Sequence, residues 1–147
     1  VLEQAARDAG VPVHRGGAYV CMEGPAFSTR AESHMYRTLG GRVIGMTNLP
    51  EAKLAREAEI AYATVALVTD YDSWRESEEA VDTEEIVKTL RANAESARRI
   101  LVHAAAAIPA EHDPAAANAL AGAILTAPDA IPERRKADLA PIIGRYL

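Results

Sequence analysis

The stretch AYATVALVT (61–69), running into DYDSW (70–74), decides the fold. Nine residues with no charge, four of them Val or Thr, match a strand buried on both faces, as in a parallel sheet. The run then stops at Asp70, and a second carboxylate follows at Asp72. Upstream lie two shorter apolar segments, GGAYVCM (16–22) and RVIGM (42–46), each expected to be a strand. Between them, Thr29 and Glu32 have capping-box spacing, and Gly40-Gly41 ends the helix they start. NLPE (48–51) starts another helix, with Asn48 as its cap and Pro50 in the first turn, running to about Glu59. The order is β-α-β-α-β with short connections, so a parallel sheet flanked by helices is the expected α/β architecture.

Outward from this unit, VLEQAARDAG (1–10) reads as the last turns of a helix ending at Gly10. Downstream, Asp82 and Glu85 have capping spacing before a long helix. Ile86, Leu90, Ala94, Ala97, Leu101 and Ala104 trace its expected apolar face. The Ala/Pro-rich tail (109–147) predicts two short helices, near 113–124 and 132–143. The reading is one domain, with 1–108 as a βαβαβα core and 109–147 as a helical tail.

The composition narrows the function classes. The 147 residues are 49% hydrophobic and 25% charged, as in a soluble globular domain. Net charge is −5 with scattered Lys and Arg, which argues against a nucleic-acid partner. The apolar runs are too short for a bilayer span, and no signal peptide is expected. Cys21 has no second cysteine to pair with, so it reads as a buried thiol in a reducing, cytoplasmic setting. The chain does not begin with Met and is expected to be a piece of something longer.

In open α/β sheets, ligands bind outside the carboxyl ends of the strands. Those ends supply Glu23–Ser28, Met46-Thr47-Asn48 and Thr69–Asp72. They combine an aromatic ring, a thioether, hydroxyls and carboxylates, which suits an anionic or heteroaromatic small molecule. Each piece also has a plain reading. Gly24-Pro25 is a turn, Phe27 and Met46 are packing, and Thr47-Asn48 is a helix cap. Asp-Tyr-Asp has three readings: a solvated turn, a metal site for a sugar-nucleotide diphosphate, or a carboxyl that hydrogen-bonds a base. His14, His34, His103 and His112 show no ligand spacing, so no metal site is expected.

Two blocks, GGAYVCMEGPAFSTRAES (16–33) and GMTNLPEAKLAREAEIAYATVALVTDYDSW (45–74), resemble the trimeric purine nucleoside phosphorylases. Their 5′-methylthioadenosine phosphorylase branch is the nearest match. The similarity runs from about Gly16 to Leu101 and is loose in the tail. The resemblance implies a carboxyl-terminal half of a three-layer fold with a mainly parallel central sheet. It implies phosphorolysis of a purine nucleoside, most directly 5′-methylthioadenosine to adenine and 5-methylthioribose 1-phosphate. Phosphate would be a co-substrate with no further cofactor, in a homotrimer serving purine and methionine salvage. A phosphorylase for methylthioinosine or adenosine, or a non-catalytic purine-binding fragment, stays open. The family's Gly-rich phosphate loop and Arg-His pair are not found in this stretch, so the isolated chain is not expected to turn over.

Residue by residue, the resemblance makes Phe27 the purine-packing ring. It places Met46 under the sugar and Thr47 on phosphate, and puts Ile44 in the substrate site. Asp70 becomes the purine-recognising and catalytic carboxyl, with Asp72 at the amino edge. Ser28 stands where 6-oxopurine-specific relatives place Glu, and Asp70 where they place Asn. Adenine presents a 6-amino donor and an unprotonated N1, so a carboxyl fits it better than an amide does. If burial keeps Asp70 protonated, it can act as general acid at N7. The 5′ pocket falls on Val81–Val87, with Thr83, Ile86 and Val87 as lining. Thr83 replaces an expected Val and adds a hydroxyl, which weakens strict selection of a methylthio group.

Overall fold

The computed structural model describes residues 1–75, 83–111 and 113–147. They form two compact units. One joins Val1–Asn48 with Thr64–Ile108, the other Leu49–Ala63 with Pro109–Leu147.

In the first unit, β1 (Ala18–Cys21) pairs in parallel with β2 (Gly41–Gly45). Tyr19 stands opposite Val43, Val20 opposite Ile44 and Cys21 opposite Gly45. The Met22 amide extends this ladder by donating to the Gly45 carbonyl at 2.9 Å. The connection is α2 (Arg30–Thr38). Its capping box forms as the spacing predicts. The Glu32 amide donates to the Thr29 hydroxyl at 3.3 Å, and the Thr29 amide donates to the Glu32 carboxylate at 2.7 Å. That backbone donor, joined by the Thr29 hydroxyl, holds the Glu32 carboxyl below its ordinary range. Gly40, at φ +87°, turns the chain from α2 into β2 through a conformation that costs a side-chain-bearing residue energy.

The small core of this unit lies between α1 (Leu2–Asp8) and α4 (Thr83–Ala107). Ala5 and Ala6 of α1 meet Ile100 and Ala104 of α4, and all four are buried. The alanines let the two helix backbones approach closely. This corrects the expected face of α4. Ala104 lies in the contact, but Leu90 and Leu101 are largely exposed, and Ile100 fills the place assigned to Leu101. In an Ala-rich helix almost every side carries small apolar groups, so periodicity alone leaves the face open by one residue, about 100°. The proposed Asp82 cap lies outside the described residues.

The larger correction concerns 61–69. The sheet has two strands, and among the described residues this stretch joins no ladder. Val65, Leu67 and Val68 are 40%, 41% and 60% exposed. A doubly buried parallel strand needs hydrogen-bonding neighbours and cover on both faces, and the described residues supply neither. Side chains hold part of the stretch instead. Thr64 donates to the Asn48 side-chain oxygen at 3.0 Å, and Asn93 of α4 donates to the Val68 carbonyl at 2.9 Å.

In the second unit, α3 (Glu51–Glu57) starts at Pro50 without a side-chain cap, so Asn48 does not cap it as expected. The tail holds α5 (Pro114–Ala117), α6 (Glu133–Ile143) and a closing 3-10 turn at Gly144–Tyr146. The first tail helix is thus four residues, far shorter than 113–124. Asp113 caps its start, but Asn118 donates its side chain back to the Pro114 carbonyl at 2.9 Å, competing with helix continuation. Glu59, in the left-handed region at φ 56°, accepts from the Leu120 amide at 3.0 Å and from the Tyr146 hydroxyl. Its other carboxylate oxygen pairs with Arg145. Desolvation raises the Glu59 carboxyl, but Tyr146, the Leu120 amide and Arg145 together outweigh it and hold the carboxyl below its ordinary value of 4.5.

Two predictions follow from this packing. Ile100→Ala should destabilise the chain by about 2–5 kcal/mol, whereas Leu101→Ala should cost under about 0.5 kcal/mol, read as urea midpoints. Because folding lowers the Glu59 pKa, its contribution is complete above pH 4.5 and fades as pH falls through the folded value. The hydrogen-exchange protection factor of the Leu120 amide, referred to the intrinsic exchange rate at each pH, should therefore fall on acidification below pH 4.5, and Glu59→Gln should flatten that dependence.

Candidate functional site

The parallel pairing puts the carboxyl ends of β1 and β2 side by side. After β1 the chain passes through Glu23–Ser28, and after β2 it reaches Met46 and Thr47. The two ends touch at Gly24. A Cβ placed there would lie 2.7 Å from the Met46 sulfur, so the loop approaches the thioether as closely as only glycine permits. Ile44 is half-buried on β2, Met46 is half-buried just beyond it, and Thr47 is exposed.

Asp70–Trp74 joins this edge through one hydrogen bond. The Ser73 hydroxyl donates to the Ser28 carbonyl at 2.8 Å, across 45 positions of sequence. Ser28 itself is buried at 6% exposure, and its hydroxyl donates to the Met22 sulfur at 3.5 Å. A second tie comes from α2, whose Arg37 guanidinium lies 3.7 Å above the Trp74 ring. Tyr71 meets Trp74 edge-on at 5.8 Å between ring centres, and Arg75 sits 4.1 Å over Tyr71. Asp72 is half-buried, and its carbonyl accepts from the Arg75 amide at 3.1 Å.

These ties bring Ser28, Met46, Asp70 and Asp72 to one edge. They do not enclose it. Phe27 is 85% exposed, and Asp70 is exposed with its carboxylate accepting from the Thr69 hydroxyl at 3.2 Å. The burial expected at Asp70 is therefore not supplied by the described residues. At the start of α4, Ile86 is half-buried and Val87 is 42% exposed. Val81, Asp82 and the Thr83 side chain lie outside the described residues. Among the described residues, no cluster of His, Cys, Asp and Glu could hold a metal ion, and no helix is long and apolar enough to cross a membrane. A shallow cavity of about 350 Å³ in the second unit, lined by Arg56, Tyr62 and Asp113 among others, contains none of the expected site residues.

Sequence reasoning did not single out Ser73, Arg37, Asn93 or Met22. Ser73 was in view beside the two carboxylates, but nothing in the sequence names the Ser28 carbonyl as its acceptor. A basic residue in the last turn of α2 has a helix-dipole role as its ordinary reading.

Two adjacent parallel strand ends with a carboxylate-bearing turn tied across them form the kind of edge at which open α/β sheets bind ligands. The family model for the phosphorylase superfamily matches residues 1–106. The chain belongs to that superfamily. It is 53% identical to S-methyl-5′-thioadenosine phosphorylase of Geobacter sulfurreducens, over 99% of this chain and 51% of that protein. It is 54% identical to the Chloroflexus aurantiacus protein of the same name, over the same shares. Among solved structures, a methylthioadenosine phosphorylase from an antarctic soil metagenomic library superposes with a TM-score of 0.85 at 46% identity. That match covers 96% of this chain and 50% of the other. The Schistosoma mansoni methylthioadenosine phosphorylase in complex with adenine gives 0.65 at 36% identity, over 75% of this chain and 44% of that one. The chain thus spans about half the length of the relatives it matches.

Gly24→Ala should push the Met46 side chain aside at small cost, since a flexible thioether can yield. The check is a shift of the Met46 methyl resonance in a methyl-labelled spectrum, with the urea midpoint little changed.

Proposed function

We propose that the protein carrying this sequence is a purine nucleoside phosphorylase acting on 5′-methylthioadenosine. In this reading, phosphate attacks C1′ of the sugar as the bond to purine N9 breaks, giving adenine and 5-methylthioribose 1-phosphate. Electron density flows onto the purine while the sugar gains cationic character. A donor at N7 takes up that charge, and Asp70 is the residue proposed for it. Asp72 sits at the 6-amino edge, Phe27 packs on the base, and Met46 and Ile44 lie beneath the sugar. Thr47 meets phosphate, and Thr83, Ile86 and Val87 line the 5′ side. No cofactor or metal is assigned, phosphate being a co-substrate. A homotrimer in the cytoplasm, serving methionine and purine salvage, completes the proposal.

The observation that carries this reading is the Ser73–Ser28 bond, which brings the Asp70–Asp72 turn to the loop bearing Phe27. A carboxyl that accepts from a 6-amino group leaves a buried acceptor facing the 6-oxygen of hypoxanthine, and such mismatches are costly. The exposure of Asp70 and Phe27 favours a companion reading for the isolated 147 residues, namely a purine-binding piece without turnover.

The test is phosphate-dependent release of adenine from methylthioadenosine, compared with adenosine and methylthioinosine. Asp70→Ala should lower turnover by roughly 10²–10⁴-fold, the range for a positioned proton donor. Asp70→Asn should move preference toward 6-oxopurine nucleosides. Unchanged adenine selectivity in the Asn variant would remove Asp70 from its proposed role.

A further inference from the structure

We infer that Ser73 and Arg37 are positioning residues, forming a two-point clamp that sets the Asp70–Asp72 turn against the Phe27–Ser28 loop. The inference rests on the purine-site reading above and assigns roles that neither the family likeness nor that reading gives. The need for a clamp follows from 61–69. That stretch forms no ladder among the described residues, so backbone pairing does not fix where its carboxylates end up. Asn93 holds the stretch at the Val68 carbonyl before Asp70, and two contacts hold it after Asp72. Ser73, one residue beyond Asp72, donates to the Ser28 carbonyl at 2.8 Å. Ser28 is anchored in turn, being 6% exposed and immediately before the Thr29 cap of α2. Trp74, the next residue, lies beneath Arg37 at 3.7 Å. Arg37 occupies the last turn of the same helix. The two anchor points therefore bracket α2, Ser28 immediately before its cap and Arg37 in its last turn. The turn inherits its position from α2, whose start is fixed by a complete capping box.

The contacts differ in character. The hydroxyl-to-carbonyl bond is directional. The guanidinium over an indole face is broader in geometry and tolerates sliding. The first sets where the turn lies, and the second keeps Trp74 from swinging out. Tyr71, edge-on to Trp74, links the ring to the residue between the two carboxylates. Loss of either contact therefore moves Asp70 and Asp72 together.

Trp74 is the only tryptophan in the chain, which makes the clamp directly observable. Acrylamide quenching of its fluorescence should rise in Ser73→Ala and Arg37→Ala. It should return to the parent value in Ser73→Thr, which keeps the hydroxyl, and in Arg37→Lys, which keeps the cation. Equal quenching in the parent, Ser73→Ala and Arg37→Ala would overturn the clamp. So would a rise that Ser73→Thr fails to reverse while circular dichroism stays unchanged. In the full-length enzyme, Ser73→Ala should raise KM for the nucleoside roughly two- to tenfold, the loss of one such bond, and leave KM for phosphate unchanged. An equal rise in both would mark a general structural defect and overturn the positioning role. Absence of phosphorolysis in the parent enzyme would remove the proposed function, while the quenching series would still decide the clamp.

Discussion

The parallel register of β1 and β2 is the constraint on which the rest of the candidate ligand edge depends. Val20 opposite Ile44 and Cys21 opposite Gly45 bring the two strand ends level, and the Met22 amide closes one more rung onto Gly45. Only in that register does Gly24 come against the Met46 sulfur. A slip by one residue would turn Met46 to the opposite face of the sheet and carry Ile44 with it. The capping box of α2 works toward the same end. It fixes where the connection begins, and Gly40 fixes where it turns back into β2. A short helix with both ends specified leaves the parallel pair little freedom to shift.

The third part of the edge is held differently. Residues 64–74 rely on individual side chains: Thr64 on Asn48, Asn93 on the Val68 carbonyl, and Ser73 on the Ser28 carbonyl. Each such bond contributes on the order of 1 kcal/mol, and they do not reinforce one another as ladder bonds do. Segments held this way open locally at lower free energy than core strands. The edge thus combines a rigid pair of strand ends with a third element that is pinned at separate points. Exposed Val65, Leu67 and Val68 are consistent with that division.

The parts legible in the sequence were those whose cause is local. Thr29 with Glu32 specifies the start of α2, Gly40 its end, and the short apolar runs on either side become strands because that helix folds them back together. The candidate site was picked out by an equally local pattern, since Phe27, Met46, Thr47, Asp70 and Asp72 each follow an apolar run, but of those runs only β1 and β2 pair as strands among the described residues. What could not be read depends on partners distant in sequence. Residues 61–69 have the composition of a buried strand, but composition does not say whether neighbours are present to pair with. Ile100 rather than Leu101 meets α1 because the packing angle is set by Ala5 and Ala6, ninety-odd residues away. Asn118 ends α5 through a bond to a carbonyl that periodicity does not register.

Exposure sets how much the carboxylates at this edge can discriminate. A hydrogen bond selects strongly when the wrong partner leaves a donor or acceptor buried and unpaired; in open water the solvent repairs the mismatch. Asp70 is exposed and Phe27 is 85% exposed. In this arrangement, exchanging a 6-amino for a 6-oxo group costs little, because water takes up the orphaned polar atoms. In the proposed reading, the donor–acceptor pattern of Asp70 with Ser28 would favour adenine in kind, and desolvation would fix the favour in size. The relatives are about twice as long as this chain. Selectivity at Asp70 should therefore track how completely water is excluded from this edge. A purine weakly sorted by these 147 residues and strongly sorted by a longer protein would express the same carboxylate in two dielectric settings.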